Sequence, residues 1–117
     1  MSRTTEEILV TGRSRQEVAD EVMDWMSDSK IKVQKKTSVL IEGRTGAFWL
    51  GANYFVISFR EDPKGVMVRT EGYARFRDPA GYAEESFSPR PIFYILARRK
   101  GWKAMEKLWK RLRAMSA

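Results

Sequence analysis

Two stretches of alternation, residues 54–60 and 66–76, constrain this chain more than any other feature. In the first, Phe55, Ile57 and Phe59 alternate with Tyr54, Val56, Ser58 and Arg60; in the second, Arg69, Glu71, Tyr73 and Arg75 share one side. Successive side chains of a strand point to opposite faces, so the pattern calls for strands with one dry and one wet face. Between them, Glu61-Asp62-Pro63-Lys64-Gly65 has the residues of a hairpin connection, because proline presets φ and glycine accepts a positive φ. An antiparallel meander is the expectation.

The rest of the chain fits around that hairpin. Ile8–Val10 is a short β-type run that stops at Gly12. Ile31 and Val33 alternate with Lys32 and Gln34, and Val39 and Ile41 with Leu40 and Glu42, giving two more strands before Gly43-Arg44-Thr45-Gly46, which reads as a turn. Ser14-Arg15-Gln16-Glu17 is a capping box, in which each end of the motif satisfies an amide of the first helical turn. It opens a helix over 15–28 with Val18, Val22, Trp25 and Met26 on one face and five acids on the others. Residues 77–91, RDPAGYAEESFSPRP, with three prolines and paired acids, read as a long loop. A last helix spans roughly 91–114.

The order is therefore β-α-β-β-β-β-α, an α+β domain over 1–117 with both helices on one face of an antiparallel sheet. In topology this order resembles the TATA-binding-protein half-domain and the smaller helix-grip folds, which place a long C-terminal helix across a curved sheet. The resemblance rests on element order and implies a fold without fixing a function.

Residue types narrow the chemistry. The chain has no cysteine and no histidine, which excludes disulfides, thiolate sites and cysteine nucleophiles and removes the commonest general base and metal ligand. Glu42 and Glu71 could pair as acid and base, but on strand faces lined with arginines they read as ion-pair partners. Glu84-Glu85 alone lacks the alternating ligands of a calcium loop. No catalytic residue, cofactor or metal is expected. MSRTTEEILV is too polar and acidic for a signal peptide, and the longest apolar run, Ile92–Ala97, is far short of a membrane span. A cytoplasmic protein is the expectation.

Residues 98–113, RRKGWKAMEKLWKRLR, hold eight basic side chains against one acid, a surplus equal to the formal net charge of +7. At about 100° per residue, Gly101, Trp102, Met105, Leu108, Trp109 and Leu112 fall within one arc of about 120°. Lys100, Lys103, Lys107, Lys110 and Arg111 fall within a second arc, nearly opposite. Burying the apolar stripe contributes on the order of 10 kcal/mol gross. A basic residue near an anionic membrane gains only about 1 kcal/mol, so the helix stays docked and any partner meets its lysine side. Charge runs on helices often serve solubility alone, yet an ordinary solvated helix mixes signs for i,i+4 pairing, and this one sets like charges side by side.

Two functional readings follow. The first is a non-catalytic binding module that presents Lys100, Lys103, Lys107, Lys110 and Arg111 to an anionic partner, either nucleic acid or an acidic protein surface. Five phosphate contacts would make log K fall against log salt with a slope of about −4 to −5. The acidic helix 15–28 of a second copy would serve as partner in a salt-sensitive homodimer. The alternative is a small helix-grip-type carrier or enzyme with an apolar pocket between sheet and last helix, walled by Phe55, Ile57, Phe59, Trp102, Met105 and Trp109, with 77–91 as its lid. Trp49, in Phe48-Trp49-Leu50, is the candidate for stacking on a base or lining the pocket mouth.

Overall fold

The computed structural model describes residues 3–47, 51–78, 81–88 and 95–116. Along the chain run β1 (Thr4–Thr11), α1 (Arg15–Asp28), β2 (Lys32–Lys36), β3 (Leu40–Ala47), β4 (Gly51–Asp62), β5 (Gly65–Asp78), β6 (Gly81–Glu85) and α2 (Ile95–Met115). The strands form one antiparallel sheet in the order β1-β5-β4-β3-β2, and β6 also pairs with β5. β5 is long enough to hold two partners on one edge, β1 along Gly65–Gly72 and β6 along Ala74–Asp78. The chain is an α+β fold with a six-stranded antiparallel sheet and two helices. Among the described residues, no helix is long and apolar enough to cross a membrane.

The alternation seen in sequence decides which side of the sheet is covered. Phe55 and Ile57 are fully buried and Phe59 nearly so, as are Val66, Val68 and Thr70 of β5, while Arg60, Arg69 and Arg75 face outward. α1 adds Val18, Val22, Trp25 and Met26 to the same core, and α2 adds Met105, Leu108, Trp109 and Leu112. The capping box forms as expected: Ser14 Oγ accepts from Glu17 N at 3.1 Å, and Ser14 N donates to Glu17 Oε1 at 3.1 Å.

Two expectations are corrected. Gly43-Arg44-Thr45-Gly46 is not a turn but the middle of β3, paired residue by residue with Phe55, Tyr54, Asn53 and Ala52. Gly43 faces inward where Met26 and Ile31 crowd the sheet, and a Cβ there would lie 2.5 Å from Ile31 Cγ2. Glycine within a strand here marks close approach and not a bend. Residues 77–91 are not one loop, because β6 occupies 81–85 and completes the edge of β5. Five residues without a clear apolar alternation carry too little periodicity to show as a strand.

The segment after β6 anchors α2. Phe87 N donates to Thr4 Oγ1 at 2.8 Å, Arg98 Nε donates to Ser86 O at 2.6 Å, and Ser88 N donates to Arg98 O at 3.2 Å. The Phe87 ring is buried between Gly72 of β5 and Gly101 of α2; a Cβ on either glycine would come within 2.2 Å of it. At the far end, Arg13 Nε donates to Met115 O at 3.0 Å and Thr11 N to Ser116 Oγ at 3.1 Å. Two indole N–H groups complete the docking. Trp25 Nε1 of α1 donates to Ala104 O at 2.8 Å, and Trp109 Nε1 donates to Thr70 Oγ1 at 2.8 Å, whose hydroxyl in turn donates to Glu6 O at 3.0 Å.

Two predictions follow from this anchoring. Alanine favours a helix over glycine by about 1 kcal/mol, but forcing a methyl into a packed ring costs about 1–3 kcal/mol. Gly101→Ala is therefore expected to lower the urea midpoint, and an unchanged or higher midpoint would show that the ring yields freely. The backbone N–H of Ser14, and then Arg13, hold the Glu17 carboxyl below its ordinary pKa of 4.5. A lowered folded-state pKa means the contribution is present in full above the unfolded-state value of 4.5 and is lost as pH falls from there through the folded-state value. Glu17→Gln keeps the box, so its stability should fall less than that of the wild type in acid unfolding measured below pH 4.5.

Candidate anion-binding cleft

α1 ends in a way that directs a lysine. Ile31 N donates to Met26 O at 2.8 Å and Lys30 N to Ser27 O at 3.2 Å, the paired bonds of a Schellman ending. Such an ending needs a left-handed residue after the cap, a place usually taken by glycine. Here it is Lys30, with φ of 57°. These bonds also satisfy the Met26 and Ser27 carbonyls in the last turn of α1, two of the groups that would otherwise present partial negative charge at this spot.

Opposite Lys30, α2 turns one face toward the same place. Lys100, Lys103 and Lys107 are spaced at i, i+3 and i+7, and with Ala104 they wall a cleft of about 330 Å³. Its other walls are Asp28, Ser29 and Lys30 at the end of α1, and Thr45 of β3 with Asn53 of β4, a cross-strand pair. None of the four lysine ammonium groups makes an ion pair or hydrogen bond with a described residue. Asn53 is 3% exposed, and its Oδ1 has no hydrogen-bond partner among the described residues.

The single carboxylate at the rim is already taken. Arg111 Nη1 donates to Asp28 Oδ2 at 2.9 Å, and Arg111 Nε donates to Glu21 Oε1 at 3.0 Å. The hydrogen bond to Glu21 is the larger cause of a raised Arg111 pKa; partial burial opposes it, and Asp28 adds to it. The acidic and basic helices therefore meet within one chain. Arg111 serves that contact, and Lys110 lies 3.8 Å from Glu106. Of the five basic residues expected from sequence, Lys100, Lys103 and Lys107 come together at the cleft.

The apolar residues are placed differently. Phe55, Ile57, Phe59, Met105 and Trp109 belong to the buried core, and Trp102 packs against it, edge-on to Trp109 at 5.4 Å. Phe55 also meets Trp25 edge-on at 5.3 Å. None of these six lines the basic cleft or the one other cleft described, of about 560 Å³ between Ser14–Gln16 and Lys36–Ser38. Trp49 lies outside the described residues.

The outer face of the sheet carries an aromatic row that sequence reading did not assemble. Tyr54 and Tyr73 stack at 5.1 Å with 11° between planes, Arg3 sits 4.2 Å over the Tyr73 ring, and Arg44 sits 5.7 Å from the Tyr54 centroid. Burial raises the Tyr73 phenol above its ordinary value, with Arg3 acting the other way. Both ring faces of the pair are thus covered by the protein's own groups.

Lys30 and Asn53 were missed in the sequence. The signal for Lys30 is weak: a helix ending in Asp28-Ser29-Lys30 with no glycine or asparagine where one is favoured. Asn53 shows only as a polar residue in register with the buried Phe55 and Ile57. No family model, curated protein or solved structure matches this chain.

A left-handed non-glycine residue costs roughly 1–2 kcal/mol, and glycine's greater unfolded-state freedom offsets about 0.5–1 kcal/mol of the gain from replacing it. Lys30→Gly is expected to raise stability by about 0.5–1 kcal/mol in chemical denaturation. A destabilised variant would mean that the lysine side chain holds the corner together.

Proposed function

We propose that this protein is a non-catalytic binding module that presents the basic side of α2 to the phosphates of a nucleic acid. The observation that carries the reading is the convergence of Lys100, Lys103 and Lys107 with Lys30 around one cleft, each without an acidic partner among the described residues. Four like charges held together repel one another, and polyanion phosphates relieve that repulsion while releasing condensed counterions. Arg111 and Glu21 act one step back by holding α1 against α2, and Arg111 keeps Asp28 engaged.

Support for an apolar ligand is weaker, because it would have to part Phe55, Ile57 and Met105, all fully buried. The reading takes the architecture as helix-grip-like on the support that α2 lies across β1, β5 and β4. Likeness to the TATA-binding-protein half-domain rests on element order, which here carries one strand more than the sequence suggested.

Four phosphate contacts predict a slope of log K against log salt of about −3 to −4. Fluorescence anisotropy of labelled DNA and RNA at several salt concentrations measures it. The Lys103→Glu, Lys107→Glu double variant should abolish the signal while leaving circular dichroism unchanged. Binding that ignores salt, or survives charge reversal, would refute the basic face as the contact.

A further inference from the structure

The cleft holds two features that a plain phosphate-binding strip does not need. One is the amide of Asn53, almost entirely buried on the inner face of β4, with an oxygen that accepts nothing from the described residues. The other is Lys30, kept in a backbone conformation that glycine would adopt more readily. Both belong to the same cleft as Lys100, Lys103 and Lys107.

Their chemistries are complementary and point to a ligand with two ends. An ammonium group donates and carries positive charge, so the rim calls for an anion. Asn53 Oδ1 only accepts, so the floor calls for an N–H or O–H donor, which the ionised phosphate ester of a nucleotide or strand lacks. A buried acceptor without a partner is unfavourable, and a ligand supplying the donor removes that cost on binding. The cavity of about 330 Å³ lies at the small end of the range for small-ligand sites, roughly 300–1,000 Å³. It suits a single small unit and not a helical duplex.

We propose that the cleft takes one unpaired nucleotide: its phosphate lies among Lys30, Lys100, Lys103 and Lys107, and an N–H or O–H of its base or sugar donates to Asn53 Oδ1. This deepens the nucleic-acid reading above and rests on it. A base inside a duplex has its edge engaged and its phosphates on the outside, so it cannot reach a floor set beneath two helices. A nucleotide from a single strand, or a free mononucleotide, can. The preference for single strands thus comes from depth: the lysines are exposed, whereas Asn53 is 3% exposed.

The test uses the whole chain, with labelled single-stranded and duplex oligonucleotides of one sequence, adenosine monophosphate and inorganic phosphate as probes. The wild type is expected to bind the single strand at least about tenfold more tightly than the duplex, a difference of about 1.4 kcal/mol. It should also prefer adenosine monophosphate to inorganic phosphate. Asn53→Leu removes the acceptor while keeping the number and branching of the side-chain heavy atoms, so its melting temperature should hold or rise. Its single-strand affinity should fall about tenfold with the salt slope unchanged. Lys30→Gly should melt higher than the wild type yet bind more weakly, with a salt slope shallower by about one.

Equal affinity for single strand and duplex, together with an unaffected Asn53→Leu, would overturn the nucleotide site and leave the basic-face reading standing. No binding of any oligonucleotide or of adenosine monophosphate at low salt would remove both. Adenosine monophosphate binding without oligonucleotide binding would assign the cleft to a free nucleotide and overturn the nucleic-acid partner.

Discussion

Where α2 lies on the sheet depends on the ring of Phe87, which fills the space that two absent Cβ atoms leave between Gly72 and Gly101. A helix can slide or rotate on a flat apolar sheet at little cost when its contacts are interchangeable, but a ring seated between two glycines has a single place to sit. The hydrogen bonds of Ser86, Phe87 and Ser88 to Arg98 and Thr4 hold that segment, and hence the first turns of α2, to the start of β1. Trp25 then ties α1 to Ala104, and Trp109 ties the middle of α2 to Thr70. Both indoles bury their rings and satisfy their N–H groups, so neither tryptophan leaves a stranded donor in the core.

With α2 fixed in this way, its two faces act independently. The apolar arc is used up in the core, and the basic arc divides according to what stands opposite it. Arg111 faces α1 and is neutralised there by Glu21 and Asp28, while Lys100, Lys103 and Lys107 lie past the end of that helix, among the residues that line the cleft. The same short corner, Asp28-Ser29-Lys30, supplies both the acid that is taken and the fourth cation that is not. Local costs gather at this one cleft: a left-handed lysine, an unpaired buried amide and four unpaired ammonium groups. A fold selected for stability alone has cheaper solutions at each of these positions, and their coincidence in one place is what a binding site leads one to expect.

Much of the architecture is legible in the residues, for reasons that are local. The box Ser14–Glu17 and the apolar spacing after it place α1 because capping and helical periodicity act within a few residues. The hairpin of β4 and β5 and the inward set Phe55, Ile57 and Phe59 follow from strict alternation. The separation of lysine and tryptophan on α2 likewise needs only a wheel. Gly43 and Gly46 mislead because glycine signals a turn and a close approach in the same letter, and only Met26 and Ile31, arriving from elsewhere in the chain, show which applies at Gly43. β6 escapes notice because it owes its pairing to the free edge of β5, not to a pattern of its own.

The cleft belongs wholly to the second kind of information. Residue order alone establishes that the last helix is basic, that the chain lacks histidine and cysteine, and that the surplus charge sits in one element. It does not establish which of those charges remain free. That is decided where α1 stops against α2, since one turn of helix separates an arginine with two carboxylates from a lysine with none. Nor does it reveal that Asn53, Lys30 and the α2 lysines share a cavity, because contacts among residues 30, 53 and 100–107 exist only after strands, helix and anchor have packed. Periodicity is a property of neighbours along the chain, whereas electrostatic pairing and cavities are properties of neighbours in space.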